Sequence, residues 1–348
     1  MMIRFYLVFL TLSCATFAKA QPSSSLNPDD LDYYLVQAFK AADADNRVSL
    51  NHIGVQVQQA ENGFLVTAAL EDYPAHRAGI NRGDIIETAG GRPYHPVYSF
   101  NKTEDFNKGY SPVTDSYNLG VRRNQNLMNL TVTPVFENLY DSYRTATSNS
   151  VQEFSVGNKI VGYVRLWALS RNSNDLIAYR NMIDALDHCD GLIFDLRNSY
   201  GFLDLQHLDK IFPNRDRYFD VAGPPSALSN LEKPTTTANT GSYRKPIAVL
   251  INGETRGGPE LFAYQLDKLG RIIILGDRTP GKLGTYLENA MGSSDILIYQ
   301  PARNVLIDNK PLEGTGVSPD RAVEYPFEQT SRGDPQYNAA MNALMGII

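Results

Sequence analysis

Two cysteines, Cys14 and Cys189, occur in 348 residues. Cys14 lies in an N-terminal segment with the pattern of a removable leader, so one thiol is left in the mature chain and no intramolecular disulfide can form. Positive charge is also scarce: 32 Lys and Arg face 38 Asp and Glu, for a formal net charge of −6. Nucleic-acid binding therefore has no electrostatic support. Beyond the leader no apolar run approaches the ~20 residues of a membrane span. The five histidines show no ligand spacing with cysteine or acids, so neither a metal nor a cofactor is expected. The chain is nevertheless 43% hydrophobic, which suits a soluble globular protein whose stability must come from its cores.

The leader has Arg4 as its positive end, an apolar stretch over 5–12 and the small-x-small site Ala18-Lys19-Ala20, the pattern of a cleaved signal peptide. Residues 1–20 are assigned to it, and Gln21 is the expected mature start. Thr11-Leu12-Ser13 before Cys14 fits a lipobox poorly. An exported chain without disulfides points to a bacterial periplasm or to secretion. Residues 21–48 are expected to hold a polar linker and one helix. That helix is expected to open with Asn27 as cap, Pro28 at the first position and Asp29 and Asp30 in the first turn,. Leu31, Tyr34, Leu35, Ala38, Phe39 and Ala42 then share one face.

From 49 to 136 the pattern changes to short alternating strands and turns. Gly63-Phe64-Leu65-Val66 opens one strand, Gly90-Gly91 marks a hairpin, and apolar residues alternate over 127–135,. Pro74-Ala75, Ala78-Gly79-Ile80 and Gly83-Asp84-Ile85-Ile86 together resemble a PDZ domain. The resemblance implies binding of peptide C-termini by strand addition, with His52, Ile53, Gly54 and Val55 as the carboxylate-binding loop and its strand. The stretch 94–117 exceeds what the hairpin needs and is read as an inserted surface loop. A polar linker is expected over 137–150.

The second domain, 151–348, alternates strands with helices, the signature of an α/β core with a parallel sheet. Its centre is the stretch 247–282. An apolar run at 247–251 leads through Thr255-Arg256-Gly257-Gly258 to Pro259, where a helix is expected to start. A second apolar run at 271–275 feeds a loop carrying Lys282. A group in that turn would meet unpaired N–H donors and the positive end of the helix dipole, both of which favour developing negative charge. A lysine held in an apolar pocket can act as a base for serine. No serine stands in the turn.

Several motifs in one order make this domain similar to the carboxy-terminal-processing (tail-specific) serine peptidases. They are Gly162-Tyr163-Val164-Arg165-Leu166, Asp195-Leu196-Arg197, Thr279-Pro280-Gly281-Lys282, Glu313-Gly314-Thr315-Gly316 and Gly333-Asp334-Pro335-Gln336. The resemblance implies a crotonase- or Clp-peptidase-like α/β core, mostly parallel, behind a small mainly-β PDZ domain. It implies a Ser–Lys dyad, with protein or peptide C-termini as substrates. Lys282 takes the base position and Gly257 the nucleophile position. Tyr286 falls where a glutamine orients the lysine. Gly201 and Gly258 take the two oxyanion N–H positions, while Ser199 and Phe202 replace an asparagine and a glycine.

Removing a catalytic serine costs about 10⁶-fold in turnover. The chain therefore reads as an exported pseudo-peptidase that binds peptide tails. The alternative is an active serine-type endopeptidase working through divergent residues, with Ser199 as substitute nucleophile or a water activated by Lys282. Thr255 is a weaker candidate, and His188, His207 and Cys189 read as packing or surface residues. The joint changes at 199, 202 and 286 argue against a single engineered replacement at 257.

Overall fold

The run Ile247–Ile251 is buried at every position, as is Gly191–Asp195. Continuous apolar strands of this kind need cover on both faces. They occupy the centre of a six-stranded sheet in a computed structural model that describes residues 25–41, 44–106, 108–216, 218–223, 242–289, 295–328 and 333–348. The leader at 1–20 and the start of the linker lie outside the described residues. The sheet order is Gln152–Val156, Lys159–Arg165, Gly191–Asp195, Ile247–Ile251, Ile272–Gly276, Arg321–Ala322. The first pair is antiparallel and the remaining pairs are parallel. Helix Gly258–Leu266 covers one face, with Phe262 stacked 6.2 Å from Phe194. Helix Pro335–Met345 covers the other, setting Ala340 and Leu344 against Val161, Ile193, Ala248 and Leu250. Turns 196–201 and 252–257 therefore meet at the carboxyl ends of adjacent parallel strands, where such sheets place their ligands.

The residues before this core form an antiparallel sheet with the path Val55–Ala60, Gly63–Ala69, Ile85–Ala89, Tyr117–Arg123, Asn126–Val132. Its inner face carries Val66, Ile86, Leu119 and Val121, closed by Ala75 and Ile80 around the short helix Pro74–Arg77. Val55–Ala60 is an edge strand.

Three sequence expectations fail here. The stretch 137–150 is not a linker: Leu139–Asn149 is a helix capped by the Asn138 side chain on the Asp141 N–H. Its buried residues, Leu139, Tyr140, Tyr143 and Ala146, have helical spacing that the intervening Ser, Thr, Asn and Arg disguise. The first helix runs Leu31–Lys40, with Asp30 as N-cap; Asn27 instead closes a turn by accepting the Asp29 N–H. The insertion at 94–117 is not a surface loop. Tyr94, Val97, Phe100 and Tyr110 are buried, and Asn101 is tied to Asn51 by hydrogen bonds in both directions.

The two helices Leu31–Lys40 and Leu139–Asn149 pack together against Trp167, Tyr200 and Tyr286 of the core. Arg82 donates to the carbonyls of Tyr325 and Pro326 and lies over the rings of Tyr325 and Phe327 at 4.1 and 3.9 Å. Gln56 of the edge strand donates to the Asn198 carbonyl at 2.8 Å. The antiparallel sheet is thus seated directly on the turn 196–201.

That turn hangs from a buried ion pair. Asp195 accepts from the Arg197 backbone and guanidinium and from the Tyr163 hydroxyl, while Arg197 also donates to Gln336 and pairs with Asp334. Burial pushes the Asp195 carboxyl up, but Arg197 and Arg165 outweigh it and hold it at about 2. A carboxylate depressed below its ordinary value stabilises the fold above that value and loses the contribution as pH falls between about 4 and 2. Arg197→Ala leaves the carboxylate buried and uncompensated. We expect it to lose about 3–5 kcal/mol in urea unfolding at pH 7; a loss under about 1 kcal/mol, the range of an exposed pair, would contradict the role given to this pair.

Candidate active site

The chain leaves Ile251 into a turn pinned from two sides. The Thr255 hydroxyl donates to the Leu196 carbonyl and the Arg256 N–H to the Ser199 carbonyl. Gly257 follows at φ 68°, ψ −122°. An L-residue here carries roughly 1–3 kcal/mol of strain, which glycine avoids. This residue is the N-cap of helix Gly258–Leu266; its carbonyl accepts the Glu260 and Leu261 N–H groups and Pro259 has none, which leaves the Gly258 N–H as the donor at the positive end of the helix. A Cβ added at 257 would meet one atom within 4 Å, the Gly201 carbonyl oxygen at 2.9 Å.

Lys282 is brought to this turn by its backbone. The Gly257 N–H donates to the Lys282 carbonyl at 3.0 Å. The Glu260 carboxylate, in the first turn of the helix, accepts from Thr279 Oγ1 and from the N–H groups of Gly281 and Lys282. The lysine loop is therefore bolted to the helix that the turn begins. Burial lifts the Glu260 carboxyl to about 7, even though those three donors favour its charge.

The Lys282 Nζ is buried and, among the described residues, has no hydrogen-bond partner. It lies 5.3 Å from the centre of the Tyr299 ring. Burial, and next the Arg256 guanidinium, lower its pKa from 10.5 to about 8 against the opposing pull of Asp32, Glu254 and Glu313. Lys282, Gly257, Gly258, Gly201, Phe202 and Tyr286 line one cavity of about 30 Å³, room for one or two waters.

Lys282, Gly257, Gly258, Gly201 and Tyr286 are thus neighbours around one space, although far apart in sequence. Other candidates lie elsewhere or face otherwise. Ser199 is fully buried, does not line the cavity, and its hydroxyl donates to the Leu196 carbonyl; it serves the turn, as does Thr255. At Gly201 it is the carbonyl oxygen, not the N–H, that meets position 257. Tyr286 is buried beside Arg256, and the ring over the lysine amine belongs to Tyr299. His207 caps its own helix, Leu205–Asp209, and His188 pairs with Glu153.

The loop 52–55 is similarly committed. His52 is fully buried and held neutral by desolvation, which lowers its pKa to about 4. Its Nδ1 accepts the Gly54 N–H, its Nε2 meets Ser142 Oγ, and its ring stacks on Tyr73. Ile53 belongs to the core, whereas His52, Gly54 and Val55 line a separate groove of about 340 Å³ that extends to Glu254 and Arg256.

Two groups at the site were not picked out from the sequence. Arg256 is buried, pairs with Asp32 of the first helix at 2.8 and 3.2 Å, and lies 5.3 Å from the Tyr200 ring. Tyr299 donates to Glu313 and accepts from the Gly284 N–H. The available signal for Arg256 was a charged residue inside a glycine turn; nothing local marked Tyr299.

Residues 160–323, from the second strand of the core to its last, match the model of peptidase family S41. The core thus carries a peptidase family S41 domain. It is 25% identical over 292 residues to a carboxy-terminal-processing protease of Bartonella bacilliformis, covering 81% of this chain and 63% of that one. It is 28% identical over 200 residues to a carboxyl-terminal-processing protease of Synechocystis sp., covering 53% and 44%. The chain thus spans between about two fifths and two thirds of the length of these relatives. A putative S41 protease of Bacteroides fragilis shares the fold, with TM-score 0.53 and 16% identity over 94% of this chain and 92% of that one.

Within this S41 core an unpartnered lysine is a destabilising element. Because its pKa is lowered on folding, the folded state sheds a proton between about 8 and 10.5 that the unfolded chain keeps, and stability rises with pH across that window. We expect Lys282→Met to melt at a higher temperature than the parent at pH 7 and to lack this rise. Equal melting temperatures and parallel pH profiles would show that the amine is solvated.

Proposed function

We propose that this S41 protein is exported, binds extended polypeptide tails, and does not cleave them through residue 257. The observation that carries the reading is the bare α-carbon of Gly257 on the same cavity as the unpartnered Lys282 amine. The lysine is poised as a base, but position 257 offers no hydroxyl from which to take a proton, and no acyl-enzyme can form there. The Gly201 carbonyl directed at position 257 would repel an oxyanion where a donor is needed.

Residues 49–136 are read as a PDZ-like domain. Its antiparallel sheet and the helix Pro74–Arg77 support that reading, and the open side of Val55–Ala60 supplies main-chain groups for strand addition. Besides the Asp32–Arg256 pair, the groove beside that strand is flanked by Asp29, Asp30 and Glu254, which favours tails carrying lysine or arginine. The curated relatives named carboxy-terminal-processing proteases support protein tails as the ligand class, and the N-terminal leader pattern supports export.

Incubation with an unfolded protein ending in an apolar, basic tail is expected to give binding without fragments. Cleavage that disappears in Lys282→Ala would overturn the reading. Gly257→Ser is expected to remain unlabelled by an active-serine phosphonate, because the carbonyl at 201 still faces the new side chain; stoichiometric labelling would show the site to be otherwise intact. Since the Gly54 N–H is engaged by His52, amidating the peptide terminus is expected to weaken binding less than about tenfold, or about 1.4 kcal/mol. Complete loss on amidation would assign the loop 52–55 to carboxylate capture.

One observation favours hydrolysis by divergent residues: an amine with pKa about 8 beside space for water can serve as a general base. On that reading turnover rises through pH 8 and is abolished by Lys282→Ala, with Gly257 uninvolved.

A further inference from the structure

Away from the candidate active site, Glu153, His188 and Cys189 bring one oxygen, one nitrogen and one sulfur within 4.8 Å of one another. Glu153 lies on the outer strand of the core sheet, Gln152–Val156, and His188 and Cys189 on the turn entering strand Gly191–Asp195. His188 Nε2 is 3.1 Å from Glu153 Oε2 and 3.9 Å from Cys189 Sγ. Ligands bound to one tetrahedral zinc at about 2.0–2.3 Å stand about 3.3–3.8 Å apart, so the set is close to the required spacing. Glu153 is half-exposed and free to rotate the remainder.

The second shell points the same way. His188 Nδ1 lies 3.0 Å from the Ala185 carbonyl, and only a protonated Nδ1 can bond there. A metal-binding histidine typically donates its other ring N–H in this manner, which leaves Nε2 as the ligand atom. With the ring neutral, Nε2 and the Glu153 carboxylate are then two acceptors in contact at 3.1 Å, an arrangement that a bound metal ion or a second ring proton resolves. The backbone behind them is fixed. Lys245 Nζ donates to the carbonyls of Asp187, His188 and Cys189, Tyr243 donates to the Cys189 carbonyl, and the Asp190 N–H is bound by Ile160. Gly162, paired with Glu153 in the sheet, leaves room for the sulfur; a Cβ there would lie 3.1 Å from Sγ.

We propose that Glu153, His188 and Cys189 bind a borderline divalent transition metal, zinc by preference, with water as the fourth ligand. The mixed oxygen, nitrogen and sulfur set disfavours magnesium and calcium. The metal would clip the outer strand to the turn at the start of Gly191–Asp195, at the opposite end of that strand from Arg197 and the turn 196–201. It would act on stability rather than on peptide chemistry.

The test uses untagged full-length mature protein, stripped with chelator and titrated with zinc chloride and separately with cobalt(II). One equivalent is expected to bind, to raise the melting temperature, and with cobalt to give a sulfur-to-metal charge-transfer band. Cys189→Ser is expected to lose the band. Because that side chain is buried, His188→Gln and Glu153→Gln serve as surface variants that keep the fold, and each is expected to weaken affinity at least about tenfold. Absence of stoichiometric binding would overturn the proposal, as would a band that survives His188→Gln. So would a His188 ring whose NMR titration is unmoved by zinc, which would assign the contact with Glu153 to a shared proton.

Discussion

The carboxylate of Glu260 is the fixed point of the candidate site. It sits one turn into the helix that Gly257 begins and gathers a hydroxyl and two N–H groups from the loop 279–282. Loop and helix thereby become one rigid body, and the Gly257 N–H closes the link on the Lys282 carbonyl. The lysine backbone is thereby fixed, and among the described residues its buried amine has no hydrogen-bond partner. Its lowered pKa follows from that placement, since desolvation disfavours the charged form.

Around this fixed point the S41 core depends on parts outside itself. Asp32 of the first helix neutralises Arg256, which would otherwise be an uncompensated buried charge beside the lysine,. Gln56 of the antiparallel sheet holds the carbonyl of Asn198, one residue before Ser199. The aromatic cluster of Tyr33, Tyr34, Phe39, Tyr140, Trp167 and Tyr200 packs the helices Leu31–Lys40 and Leu139–Asn149 onto the turn 196–201. A ligand that displaced the first helix or the edge strand would therefore change the electrostatics and the backbone of the turns 196–201 and 252–257 together. The groove between those two elements is where such a ligand would lie.

Much of the fold was legible because its signals are local. The run at 247–251, the glycines and proline at 257–259 and the run at 271–275 each specify one element within a few residues. The misreadings have local causes too. In the helix Leu139–Asn149 the buried stripe is tyrosine and alanine among polar residues, so composition masked the period. The insertion at 94–117 looked like surface because asparagine, lysine and proline are common there, yet its four buried aromatic and aliphatic residues fill space against the first helix and the antiparallel sheet. Ser199 and the loop 52–55 stand at motif positions, and motifs do not say which acceptor or donor a polar atom has already taken.

Sequence by itself determined that the chain carries a strand, glycine turn, helix and strand in the S41 order, that residue 257 has no side chain, and that a lysine follows at 282. These are statements about residue identity and short-range pattern. Only the tertiary structure decided that the lysine amine is unpartnered, that Arg256 is answered by an aspartate 224 residues away, that Tyr299 rather than Tyr286 covers the amine, and that Glu153 meets His188 and Cys189. Each depends on contacts between segments distant in the chain. Periodicity and capping carry no information about those contacts, because burial and charge pairing are settled only when the layers close on one another.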